Sequence, residues 1–218
     1  MSQKAIAAAC SLACLAGIAS AELVRVEVTG EWDFGMVRSG VLNGVNSGPA
    51  SMSFDVDSNV FTDSVNFPTR GYHIIEDSFV LTLDGISVGM PNPYSPAGEI
   101  PLFILRNNDP AVDGFFLGSN VDGFQDGVTI DNAGLIDPFL GVLFSATYLN
   151  DPISSLDIVD AVGTYTFAGL SSFNWGLDDA GNQLAGMIFD QFTISVVPAP
   201  AAATVLAPAG LLAFRRRR

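Results

Sequence analysis

The chain has 218 residues, 49% of them apolar and sixteen of them Phe, with a formal charge of −14 at pH 7. The imbalance is sharper in the middle: between Glu22 and Val197 four arginines (Arg25, Arg38, Arg70 and Arg106) stand against all 23 acidic residues, a net charge of −19 that repels phosphate backbones and excludes nucleic acid as a partner. The single histidine, His73, and the confinement of both cysteines to the first fourteen residues leave that region without disulfides, thiol chemistry or a His/Cys zinc signature.

The N-terminus reads in three parts: Lys4 as a positive start, an apolar run from Ala5 to Ile18, and the small residues Ala19-Ser20-Ala21. This is the pattern of a signal peptide over residues 1–21, with cleavage set by Ala19 and Ala21 before Glu22. The apolar run is shorter than the roughly 20 residues a spanning helix needs. Cys10 and Cys14 leave with it, and the expectation is passage through the export machinery to the envelope, the cell surface or the medium.

Residues 22–196 read as one acidic all-β domain. Val24, Val26, Val28, Trp32 and Phe34 share one parity, which predicts a half-buried strand or pair of strands, and Met52, Phe54 and Val56 repeat the pattern before the turn-forming Asp57-Ser58-Asn59. Phe79 to Leu83 and Ile86 to Val88 flank Asp84-Gly85, a two-residue loop suited to a type I′ hairpin. Pro91 to Pro101, with four prolines, reads as a surface loop. Further strands are predicted at Leu102 to Leu105, Phe115 to Leu117, Val128 to Ile130, Val142 to Tyr148, Thr164 to Phe167, Phe173 to Leu177 and Met187 to Val196. Many short strands without covering helices predict an antiparallel β-sandwich, with a jelly roll as one arrangement.

Within that domain the residues that carry chemistry are few. His73 sits in no nucleophile-elbow motif and reads as structural or exposed. Gly40, Gly44 and Gly48 fit no nucleotide fingerprint and read as a loop. Oxygen side chains alternate at Asp55, Asp57 and Asn59, an incomplete calcium loop lacking the sixth-position Gly and the distal Glu, so calcium is the one cofactor the sequence suggests against a plain strand-to-turn exit. Asp122, Asp126 and Asp131 form a second acidic stretch that reads as solvated turns. Trp32 and Trp175 share parity with core residues, which leaves Tyr72 and Tyr94 as the candidate platforms for a glycan. Paired carboxylates for glycoside hydrolysis are not singled out by spacing among so many acids.

The tail begins with Val197-Pro198-Ala199-Pro200, continues through an apolar stretch from Ala201 to Phe214, and ends in Arg215, Arg216, Arg217 and Arg218. Arginines resist crossing a bilayer and act as a stop-transfer cluster, while the stretch, short and interrupted by Pro208 and Gly210, suits a transient membrane helix better than a lasting one. Residues 197–218 resemble the PEP-CTERM sorting tail of bacterial exported proteins, in which a Val-Pro-Glu-Pro motif precedes a membrane segment and a basic cluster; this chain has Ala199 in place of the Glu. The resemblance implies handling by an exosortase-type membrane enzyme and association with exopolysaccharide or biofilm matrix. Together these features lead to the expectation of a non-enzymatic structural or matrix-associated envelope protein. A carbohydrate- or calcium-binding adhesion module and a hydrolase using paired carboxylates stand as alternatives.

Overall fold

Alternation of Val24, Val26 and Val28, all fully buried, fixes one face of the first strand, and that strand finds a partner on each of its two edges. The computed structural model describes residues 21–108, 112–123, 126–132, 140–179 and 182–198. Among them are twelve strands: β1 Leu23–Gly35, β2 Pro49–Asp63, β3 Thr69–Ile74, β4 Val80–Leu83, β5 Ile86–Val88, β6 Leu102–Arg106, β7 Asp113–Gly118, β8 Val128–Thr129, β9 Leu140–Tyr148, β10 Gly163–Tyr165, β11 Leu170–Asp179 and β12 Asn182–Val196. No α-helix occurs among the described residues, and no described helix is long and apolar enough to cross a membrane. The helix expected over 201–214 lies outside them.

The ring runs β1, β12, β11, β9, β7, β6, β3, β2 and back to β1, antiparallel at every step. This is a closed eight-stranded barrel, which corrects the expected sandwich: a sandwich leaves edges, and here the edges of β1 are taken by β12 and β2. The remaining strands are additions, with β4 on β2, β5 on β4, β8 on β9 and β10 on β12.

Aromatic rings fill the lumen. The Phe115 ring lies 4.6 Å from Tyr165, 4.9 Å from Phe192 and 6.1 Å from Phe103, and Phe144 contacts Phe192 and Phe189. Each such side chain stabilises the fold by about 2 kcal/mol relative to exposure, and an eight-stranded barrel is just wide enough for them, so side chains rather than a ligand occupy its centre. Trp175 is buried in this core and Trp32 packs half-buried against it. A smaller cluster lies outside the wall, where Leu102, Ile104 and Phe116 on the outer faces of β6 and β7 are covered by Val121.

The expected parity of β1 fails at its end, where Phe34 is 50% exposed. Register slips between Thr29 and Gly30 and again between Trp32 and Phe34, and such bulges re-aim the side chains that follow. Gly30 is required at the first, because a Cβ there would stand 2.0 Å from the Ile188 carbonyl oxygen. The predicted hairpin forms as expected: Asp84 and Gly85 adopt φ of 49° and 80° between β4 and β5, the positive pair of a type I′ turn.

Candidate functional site

The Pro91–Pro101 segment is held against the barrel by Tyr94, whose hydroxyl accepts the Thr129 N–H at 2.9 Å. Between this segment and residues 119–123 and 126–129 runs an open groove of two adjoining depressions, about 470 and 510 Å³, which share Glu99, Ser119 and Asp126. Tyr94, Thr129, Gly141 and Asp178 line the first, and Thr62, Ile100, Asn120 and Val121 line the second. Although Asp126 is exposed, the desolvation it meets beside the groove wall pushes its carboxyl up from the ordinary value, and the negative charge of Glu99 pushes it further. Carboxylates flanking an open groove can accept sugar hydroxyls or contribute to a divalent cation site. Asp126 came from the acidic stretch read as solvated turns. Glu99 was passed over, although it is the sole acid in the proline-rich loop.

The other acids of that stretch go elsewhere. Asp122 accepts the Ser64 hydroxyl, and the Asp131 residue is exposed, its backbone N–H bonded to the Gly89 carbonyl. The calcium candidates are spread along β2, which runs through Asp57-Ser58-Asn59 where a turn was expected. Both carboxylate oxygens of Asp55 accept from the Arg25 guanidinium, at 2.7 and 2.9 Å, and Asp57 accepts the Asn59 backbone N–H at 2.8 Å. Among the described residues no three His, Cys, Asp or Glu side chains gather closely enough to hold a metal ion.

The tyrosine platforms need correction. Tyr72 is fully buried in β3, a strand the sequence reading left unassigned. Its hydroxyl donates to the Leu156 carbonyl at 2.7 Å and accepts the Ile158 N–H at 2.9 Å. Tyr94 is 9% exposed, so neither ring offers a face to a glycan. His73 lies half-buried on β3, 3.2 Å from the Thr62 hydroxyl, and burial pulls its imidazole below the ordinary value.

Two further polar anchors escaped sequence reasoning. Asp113 is 1% exposed, and its oxygens accept the N–H groups of Asn108 at 3.0 Å and Ile153 at 2.9 Å. Burial raises its pKa, these two bonds oppose the rise, and the group is a pin between loops rather than a free acid. Asn132 accepts from the Leu42 N–H and donates to the Ser39 carbonyl, tying down the glycine loop from 90 residues away.

Of the processing residues, Ala21, Val197 and Pro198 are described. Leu23 begins β1 two residues after Ala21, Val196 ends β12, and the Val197 N–H donates to the Leu23 carbonyl at 2.7 Å. Ala19, Ala199, Pro200 and Arg215 to Arg218 lie outside the described residues. No protein-family model, curated protein or solved structure matches the chain.

Proposed function

We propose that the chain is an exported envelope protein, a ring-filled β-barrel delivered by its leader and handled at the membrane through its C-terminal tail, with a structural or matrix-associated role and no catalysis of its own. One observation carries the reading most: the first described strand opens at Leu23 and the last closes at Val196, each within two residues of the boundary that the leader or the tail motif sets, so removal of either segment leaves every described strand intact. The two ends also leave the barrel side by side. A stop-transfer cluster of four arginines then keeps the tail's end on the cytoplasmic side and the barrel outside, where an exosortase-type enzyme can reach the extended motif and exopolysaccharide is the available partner. Fractionation tests this: the full chain is expected in the envelope or the medium and a chain lacking residues 1–21 in the cytoplasm, whereas equal distribution of the two would contradict export.

The groove favours a second reading, a carbohydrate- or calcium-binding module, because Glu99 and Asp126 converge on it from separate loops. A glycan array run with calcium and with chelator is the test. Binding lost in Asp126→Asn supports the groove, and new reducing ends on the bound glycan would turn the reading toward a hydrolase.

A further inference from the structure

We propose that the tip of the β2–β3 hairpin is a second membrane contact, an apolar prong that meets the bilayer beside the point where the tail enters it. The inference rests on the reading of the tail as a membrane segment. Register sets the geometry. Val24 pairs with both Val196 and Val56, and Leu23 stands opposite Asp57, so β1 begins, β12 ends and β2 passes at one end of the barrel. From there β2 runs six residues further, to Asp63, before the chain turns back into β3 at Thr69. The β2 strand bulges between Val56 and Phe61, so from Ile74, opposite Val56, to Arg70, opposite Asp63, β3 covers only four residues, about 13 Å along the strand at about 3.3 Å per residue, or about 10 Å along the barrel axis for a tilt near 40°.

The tail has a similar reach. Three residues lie between Val197, bonded to Leu23, and Ala201, where the apolar stretch starts, a span of four steps and at most about 14 Å. A barrel tethered by so short a linker brings the hairpin tip level with the bilayer surface.

The tip suits that surface. Val65 is 92% exposed and Phe67 is 41% exposed. Single exposed apolar residues are ordinary, but here they cap a projection whose residues 64–68, Ser-Val-Asn-Phe-Pro, carry no charge in a domain of net −19. Behind them Arg70 pairs with Asp63 at 2.6 Å and lies 3.8 Å over the Phe61 ring. The tip is also held in shape, because the Ser64 hydroxyl bonds Asp122 and accepts the N–H groups of Asn66 and Phe67. Leu149, 70% exposed, lies at the same end, just beyond Tyr148 where β9 stops opposite Leu170. An acidic domain with an uncharged apolar prong fits a zwitterionic bilayer, not an anionic one.

The test uses the chain from Glu22 to Arg218, the form that precedes removal of the tail and contains no cysteine, reconstituted with phosphatidylcholine vesicles. An environment-sensitive dye is placed at Val65→Cys or, as the control at the opposite end of β1, at Val41→Cys. The expected result is co-flotation, with the dye at position 65 quenched by lipid-borne spin labels and the dye at 41 unaffected. Phe67→Asp, with unchanged thermal melting, should reduce quenching at 65 to the level at 41. Co-flotation with equal quenching at the two sites would overturn the prong and leave the tail reading standing, while failure to float would overturn the tail reading and the prong with it. Excimer emission from pyrene at position 65 without lipid would assign the tip to a second copy of the chain and overturn the proposal.

Discussion

The hairpin formed by β4 and β5 and the hairpin formed by β2 and β3 meet where β4 pairs β2, yet owe their shapes to different causes. The first is local: Asp84 and Gly85 supply the positive φ angles, and Thr82 bonds Ser87 across the pair at 2.8 Å. The second is set from a distance, since β3 is held by β6 on its far edge and by Tyr72, whose hydroxyl grips Leu156 and Ile158 more than 80 residues away. Turn chemistry can be read from neighbours in sequence, whereas a strand defined by remote partners leaves little local trace.

Substitutions can break this contrast. Tyr72→Phe keeps the buried ring but strands a donor and an acceptor, and should cost about 2 kcal/mol in urea unfolding; a neutral result would mean that β3 is as local as the other hairpin. Gly85→Ala meets no atom within 4 Å, so its cost is the backbone's alone, about 1 kcal/mol, measured in the same way. Arg70→Ala removes a partly exposed ion pair and a contact with Phe61, worth less than about 1 kcal/mol after solvent screening.

The smallest effect is one of pH. Burial holds the His73 imidazole below its ordinary value of 6.5, so as pH falls through 6.5 the unfolded chain takes up the proton first and the fold loses stability. The Tm of the natural chain should therefore fall relative to that of His73→Gln between pH 7 and 5. An unchanged difference would place the ring in solvent.

The same contrast explains what was legible. Alternation in β1 and β2, the Asp84-Gly85 turn and the unbroken apolar runs of β6 and β7 could be read directly, because each is a pattern within a few residues. Closure could not, since sandwich and barrel share the same alternation and differ only in whether β1 finds both β2, close in sequence, and β12, at the far end of the domain. Strand β3 leaves no such local trace because the polar and glycine residues of Arg70-Gly71-Tyr72-His73 break the apolar pattern. Tyr94 was misread for the opposite reason: its proline-rich surroundings do read as a loop, but one side chain of that loop turns inward. Of the groove, Asp126 was visible as one acid among many, and its pairing with Glu99 depends on loop placement that no spacing rule encodes.

The central claim, that a β-barrel is delivered outside and released from its two processing segments, is tested most directly by intact-mass measurement of the protein recovered from envelope and medium. The account predicts an N-terminus at Glu22 and a C-terminus between Pro198 and Pro200. A mass that retains Arg218, or a lipid-modified chain starting at Cys14, would contradict it.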